Sequence, residues 1–220
     1  MPSSLVVLAD PEEIFRDIRD RSRWITPLGY CALVFFLIIW LGGCWTDIRE
    51  GLRWSSLLVP AVAAIVIVCV LGAASTLLLY VGHRVINGGR SGEPRYRTLF
   101  SLNMHCAIIL VLGELVNFLL VHTGIPPPGN LPLANRFPLG LDLLLLGAKE
   151  PNIYMTILLH STSAFTVWYL VILARGLRDV AHLSTAQAAA VALTLWLVGV
   201  GAILSVVYSA GGGTVFRVVV

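Results

Sequence analysis

Two apolar runs, residues 153–174 and 186–210, stand almost back to back in this chain. Between them lie only Arg175, Gly176, Leu177, Arg178 and Asp179 and a short linker carrying Ser184 and Thr185. Each run passes the ~18–20 apolar residues that a helix needs to cross a hydrocarbon core of ~30 Å. The connection leaves room only for a tight turn. The pair therefore predicts a hairpin of lipid-spanning helices, because a backbone in lipid must hydrogen-bond within its own segment. Composition extends this to the whole chain, which is 57% hydrophobic and 12% charged, against ~45–50% and ~25% in soluble domains. The expected fold class is an all-α integral membrane protein.

Three further apolar segments, 25–44, 56–82 and 99–121, bring the expected transmembrane helices to five. Trp24, Trp45 and Trp54 sit near the expected ends, where aromatic rings prefer the headgroup region. Pro60 and Gly72 fall inside the second span and read as packing features, since neighbouring helices accommodate such residues in membranes. Ahead of the first span, Asp10 can cap a helix, Pro11 suits its first position and Glu13 falls where a capping-box acid belongs. That helix should run to about Trp24. Ile14, Phe15 and Ile18 share one face, and Arg16, Asp17, Arg19, Asp20 and Arg23 cover the rest. The pattern fits a short amphipathic helix on the membrane surface, or a solvated lead-in to the first span. No apolar core precedes Ile25, so the first span is expected to target the chain and remain in it.

Lys and Arg accumulate on the cytoplasmic side of membrane proteins. Arg16, Arg19, Arg21, Arg23, Arg84, Arg90, Arg95, Arg97, Arg175 and Arg178 fall on one side of the five spans, ten in all. Arg49, Arg53, Arg136, Lys149 and Arg217 make five on the other. The expected layout is a cytoplasmic amphipathic segment at 1–24, a membrane domain at 25–210 and a short external tail at 211–220. The N-terminus is then cytoplasmic and the C-terminus external, in a bacterial plasma membrane. The long external connection, 122–151, opens on the stiff stretch 124–128, where consecutive prolines fix φ. It then offers the apolar piece 139–146, too short to span, expected as an interfacial lid, with a re-entrant piece as the alternative.

Glu114 is the carboxylate placed well inside an expected span, and ionisable groups there are costly unless they meet a partner, a cavity or water. Asn103, Ala107, Leu110, Glu114 and Asn117 follow steps of three and four along one helix face. This polar face is expected to turn into the bundle, where Asn side chains bond across helices. His160 lies at similar depth on the neighbouring span, which makes it a candidate partner for Glu114. The site so defined, Glu114, Asn117, Asn103 and His160, is either a fastening between helices, a substrate or proton path, or a partner contact. Ser101 and His105 are expected to find backbone or water partners. Arg175, Arg178 and Asp179 mark the turn expected to meet a partner.

Other chemistry finds no footing. There is no HExxH pair at helical spacing. Glu12 and Glu13 lie outside the spans and one residue short of the paired-glutamate spacing of CAAX-type intramembrane proteases. Ser161, Thr162 and Ser163 lack the Gly-x-Ser context of rhomboid-type proteases and read as hydroxyl packing. Gly211, Gly212 and Gly213 have no following Lys-Ser/Thr pair and are no phosphate loop. Cys31, Cys44, Cys69 and Cys106 show no zinc spacing and read as small apolar residues. The net charge of +3 comes from dispersed arginines, which argues against nucleic acid. No cofactor, metal or catalytic residue is expected.

Asp10, Pro11, Phe15 and Ile18, followed by Trp24 and Pro27, resemble the opening of the Yip domain family, the Ypt/Rab-interacting membrane proteins. Residues 96–107 resemble that family's approach to its third span. Residues 165–177 and 183–188 resemble the region between its last two helices. The likeness covers nearly the whole chain and is nearest to bacterial members. It implies a five-helix Yip-type bundle with a cytoplasmic N-terminus. Eukaryotic relatives are implicated in binding prenylated small GTPases, in vesicle traffic and in membrane shaping. The Asp-Leu-x-Gly-Pro motif of that type is absent here, so GTPase binding is not expected. Some bacterial relatives are associated with ABC-type exporters. The resemblance thus implies a non-enzymatic membrane-organising or partner-binding protein, a scaffold or accessory. Its partners would be the bilayer and other membrane proteins, ABC-type exporter subunits among them, or further copies of itself. The alternative is an exporter subunit or small transporter-like protein with a polar path at Glu114. Reporter tags at the two ends should be found in opposite compartments, and finding both in one would refute the five-pass layout.

Overall fold

The computed structural model describes residues 10–20, 23–44, 55–87, 94–122, 139–145 and 152–209. The expected Pro-rich stretch 124–128, the tail 211–220, and Trp45 and Trp54 lie outside these residues. The described residues form seven α-helices in order: α1 (Pro11–Asp20), α2 (Ile25–Cys44), α3 (Ser55–Asn87), α4 (Tyr96–His122), α5 (Ile153–His160), α6 (Ala164–Ala181) and α7 (Thr185–Ser209). A 3-10 turn, Leu141–Leu145, precedes α5. Among the described residues the only β pairing is an isolated antiparallel bridge between Gly140 and Ser163. Among the described residues three helical segments, Leu58–Ile86, Tyr96–Val121 and Thr185–Ser209, are long and apolar enough to cross a membrane, and Ile25–Trp40 is a shorter apolar one.

Helix α4 is the axis of the bundle and packs against α1, α2, α3 and α6. From Leu99 to Ile109 every residue of α4 except Phe100 and Ala107 is buried. The flanking helices bury one stripe each. On α3 the inward residues are Ala64, Val68, Gly72, Thr76, Leu79 and His83, spaced by three and four, while Val62, Ile65, Val66, Val70 and Leu77 face outward. On α7, Ala188, Val191, Ala192 and Leu195 turn inward. An inverted surface of this kind, apolar outside as well as inside, is stable only in lipid or against other apolar helices.

The N-terminal helix departs from both sequence expectations. Asp10 Oδ1 accepts from the Glu13 backbone N–H at 3.4 Å, as an N-cap does. Its apolar face, however, is covered by protein: Ile14, Phe15 and Ile18 are 2%, 3% and 1% exposed, in one core cluster with Leu99, Leu102 and Leu177. Helix α1 lies across α4 and α6. Gly176 permits the approach, since a Cβ there would collide with the Leu102 side chain and come within 2.9 Å of the Phe15 ring.

Two connections also differ from expectation. The stretch from Arg175 to Asp179, expected as a tight turn, is helical and forms the last turns of α6. The reversal comes later, at His182, whose φ of 54° places it in the left-handed region that ends many helices. The Ala181 carbonyl just before it accepts from His83 Nε2 of α3 at 3.3 Å. The apolar run 153–174, expected as one helix, is broken into α5 and α6.

Phe15→Ala removes a ring from a closed site and should cost about 3 kcal/mol. Limited proteolysis in detergent should then cut between α1 and α2 faster, with α2–α7 surviving as a folded fragment. An unchanged cleavage rate would contradict the docked position of α1.

Candidate functional site

Three polar groupings lie within the bundle or at its ends. The first is centred on Asn103, 2% exposed on α4. Its Nδ2 donates to Ser75 Oγ at 2.7 Å and lies 3.2 Å from Thr76 Oγ1 and 3.4 Å from the Gly72 carbonyl. Its Oδ1 accepts from the Tyr169 hydroxyl of α6 at 3.0 Å. The two α3 hydroxyls donate to their own helix, Ser75 to Leu71 O and Thr76 to Gly72 O, each at 2.7 Å. One amide thus ties α3, α4 and α6 together with both ends occupied, the arrangement that makes a buried polar group affordable in an apolar interior. Nearby, His105 Nδ1 donates to Ser101 O at 2.7 Å, and Ser101 Oγ donates to Arg23 O at 2.9 Å.

The second grouping closes the break between α5 and α6. Ser163 Oγ accepts from the Thr166 N–H at 3.1 Å and so caps α6, while Ser161 Oγ donates to Ile157 O at 2.7 Å. Such local side-chain bonds compete with helix continuation. The carbonyls released by the break find outside donors. Trp196 Nε1 of α7 donates to Ser161 O at 3.2 Å, and the Leu141 N–H donates to Thr162 O at 3.3 Å. Gly140 fits because it has no Cβ; one there would lie 2.9 Å from the Leu159 carbonyl and 3.0 Å from that of His160.

Asp142 is the anchor of this closure. It is 1% exposed. One carboxylate oxygen accepts from the Gly140 N–H at 2.9 Å, and the other lies 2.7 Å from His160 Nδ1. The carboxylate at this nitrogen of His160 is Asp142, a residue that no sequence expectation singled out. Leu141, Leu143 and Leu144 remain exposed on the same turn. The described part of the apolar piece, 139–145, is thus pinned to the broken helix by its one acid. Glu114 is half-buried and Asn117 is 8% exposed, both further along α4. No signal in the sequence marked Asp142 except its charge within an apolar run.

The third grouping lies at the opposite end of α6. Arg178 Nε donates to Asp179 Oδ1 at 2.8 Å, and this contact holds the exposed guanidinium more firmly in its charged form. Arg175 is exposed one turn earlier. An open cleft of about 370 Å³ separates this end of α6 from α1. Among the described residues no group of three or more His, Cys, Asp or Glu side chains is placed to hold a metal ion. Cys31 and Cys106 are buried, Cys69 is half-buried, and all three thiols are free.

Long apolar helices with uncovered flanks, buried polar fastenings and a broken helix sealed by its neighbours define a polytopic α-helical membrane protein. The Yip1 domain family model matches residues 5–206, nearly the full length, and the chain belongs to that family. No curated protein and no solved structure matched it.

Removing either member of a buried hydrogen-bonded pair strands the other at a cost of roughly 1–3 kcal/mol. Asp142→Asn and His160→Gln, singly and together, should show a coupling of at least about 1 kcal/mol in a double-mutant cycle of detergent unfolding. Additive effects would show that the pair does not hold the break closed.

Proposed function

We propose that this chain is a non-enzymatic membrane-organising or partner-binding protein, a scaffold or accessory subunit that works through its outward helix faces. The observation that carries this reading is the pair of uncovered flanks on α3 and α7. On α7, Ala186, Ala190, Thr194, Val198 and Ala202 recur every fourth residue and are all exposed. In lipid, helices associate where small residues let backbones approach, so this stripe suits a neighbouring membrane helix better than it suits lipid tails. The broad aliphatic face of α3 suits lipid. If α2, α3, α4, the α5–α6 pair and α7 each cross once, the excess of arginine at the ends of α3, α4 and α6 and on α1 favours the cytoplasmic side for that end. Arg175, Arg178 and Asp179 then lie where a cytoplasmic part of the same partner would meet them.

A second reading, an exporter subunit or small transporter-like protein, draws support from the α5–α6 break, since discontinuous helices often line transport sites. The polar path would run by Glu114 and Asn117 towards His160.

A photo-crosslinker placed at Val198 should give a discrete adduct with a membrane protein or a second copy in native membranes. Ala190→Phe combined with Ala202→Phe should reduce its yield several-fold without unfolding the chain, because the bulk lies on the outer face. Solute flux driven by the purified chain alone in liposomes would displace this reading in favour of the second.

A further inference from the structure

We infer that the cleft between α1 and the end of α6 is a binding site for the phosphate of an anionic membrane phospholipid. The inference rests on the membrane placement proposed above and is independent of the scaffold role.

The cleft is built by two elements that diverge in sequence and meet only in the fold. From α1 come Glu12, Arg16 and Arg19; from the end of α6 come Arg178, Asp179 and His182. Arg16 and Arg19 stand one turn apart on the flank of α1 beside its buried apolar face, and Phe15 contributes to the floor. Three arginines against two carboxylates leave one net positive charge (3 − 2 = +1).

Pairing leaves more cationic capacity than the count suggests. Asp179 engages Arg178 only through Nε, so the two Nη groups of that fork make no hydrogen bond among the described residues, although Glu12 across the cleft attracts the guanidinium through space. Arg16 and Arg19 make no ion pair or hydrogen bond there either. Guanidinium groups are matched to phosphate oxygens, often in bidentate fashion. The buried anchor residues Phe15 and Ile18 fix the α1 backbone, so its two arginines are carried on a rigid support.

A lipid source is favoured over a soluble phosphate by what adjoins the cleft. Val167 and Val171 are 49% and 47% exposed, and they share one face of α6 with Arg175 and Arg178 by steps of four, four and three. An exposed apolar lane thus leads directly into a cationic cleft. A phospholipid with its phosphate among Arg16, Arg19 and Arg178 would lay an acyl chain along Val171 and Val167. The described arginines at the ends of α3, α4 and α6 lie at this same end of the bundle, and they draw anionic lipid to that leaflet.

The test uses the full chain in a neutral detergent, with phosphatidylglycerol added and bound lipid read by native mass spectrometry. Phosphatidylcholine serves as the zwitterionic probe and glycerol phosphate as the water-soluble one. Phosphatidylglycerol should be retained and phosphatidylcholine should not. Arg16→Gln with Arg19→Gln should weaken phosphatidylglycerol binding roughly tenfold, whereas Arg95→Gln with Arg97→Gln, exposed at the same end but outside the cleft, should leave it unchanged. Glu12→Gln should tighten binding, and it keeps the test decisive if the double arginine variant fails to fold. Equal losses from the two arginine pairs would show general surface attraction and overturn the site. Competition by glycerol phosphate at the same concentration as lipid would overturn the lipid assignment, and so would weaker binding by Glu12→Gln.

Discussion

In hydrocarbon every backbone N–H and C=O needs a partner from protein, because water is not there to supply one. The break between α5 and α6 is where this constraint is most demanding. Helix α5 has eight residues, so the break lies about 12 Å along from its start. Ser163, Leu141 and Trp196 supply the missing bonds from three directions. Asp142 holds the segment that brings Leu141 into place. The position of the 3-10 turn, the start of α6 and the contact with α7 are all consequences of closing this one opening.

The same constraint explains the interior of the bundle. Asn103 has both donors and acceptor engaged across three helices, and Tyr169 gains a hydroxyl partner at full burial. Helices in lipid gain little from the hydrophobic effect against one another, so packing and interhelical hydrogen bonds decide their arrangement. Helix α4 carries the polar groups and is the most enclosed; α3 and α7 carry fewer and keep their outer faces uncovered.

At the Arg-rich end the balance changes. Here Ile14, Phe15 and Ile18 are buried against Leu99, Leu102 and Leu177, where burial of each side chain is worth roughly 1.5–3 kcal/mol. That is enough to hold a ten-residue helix that would be marginal alone. Docking converts the charged face of α1 from a mobile lead-in into a fixed wall beside α6. The membrane-surface reading of α1 followed from its amphipathic pattern, but such a pattern says only that one face is covered and not by what.

Membership of a helical membrane family and the apolar character of the long helices were legible from hydropathy alone, because a run of about twenty apolar residues has few stable alternatives. The cap at Asp10 and the polar stripe through Asn103 were legible as well, being local patterns of three and four residues. The break at Ser161–Ser163 was not: hydroxyl residues sit comfortably in apolar helices, and nothing local distinguishes a capping serine from one bonded to its own turn. Nor was the union of Asp142 with His160, eighteen residues apart, or the meeting of Arg16 and Arg19 with Arg178. Local sequence determined which segments leave water and become helices. Only tertiary packing decided where a helix is interrupted and which charges meet, because those outcomes depend on partners brought together from distant parts of the chain.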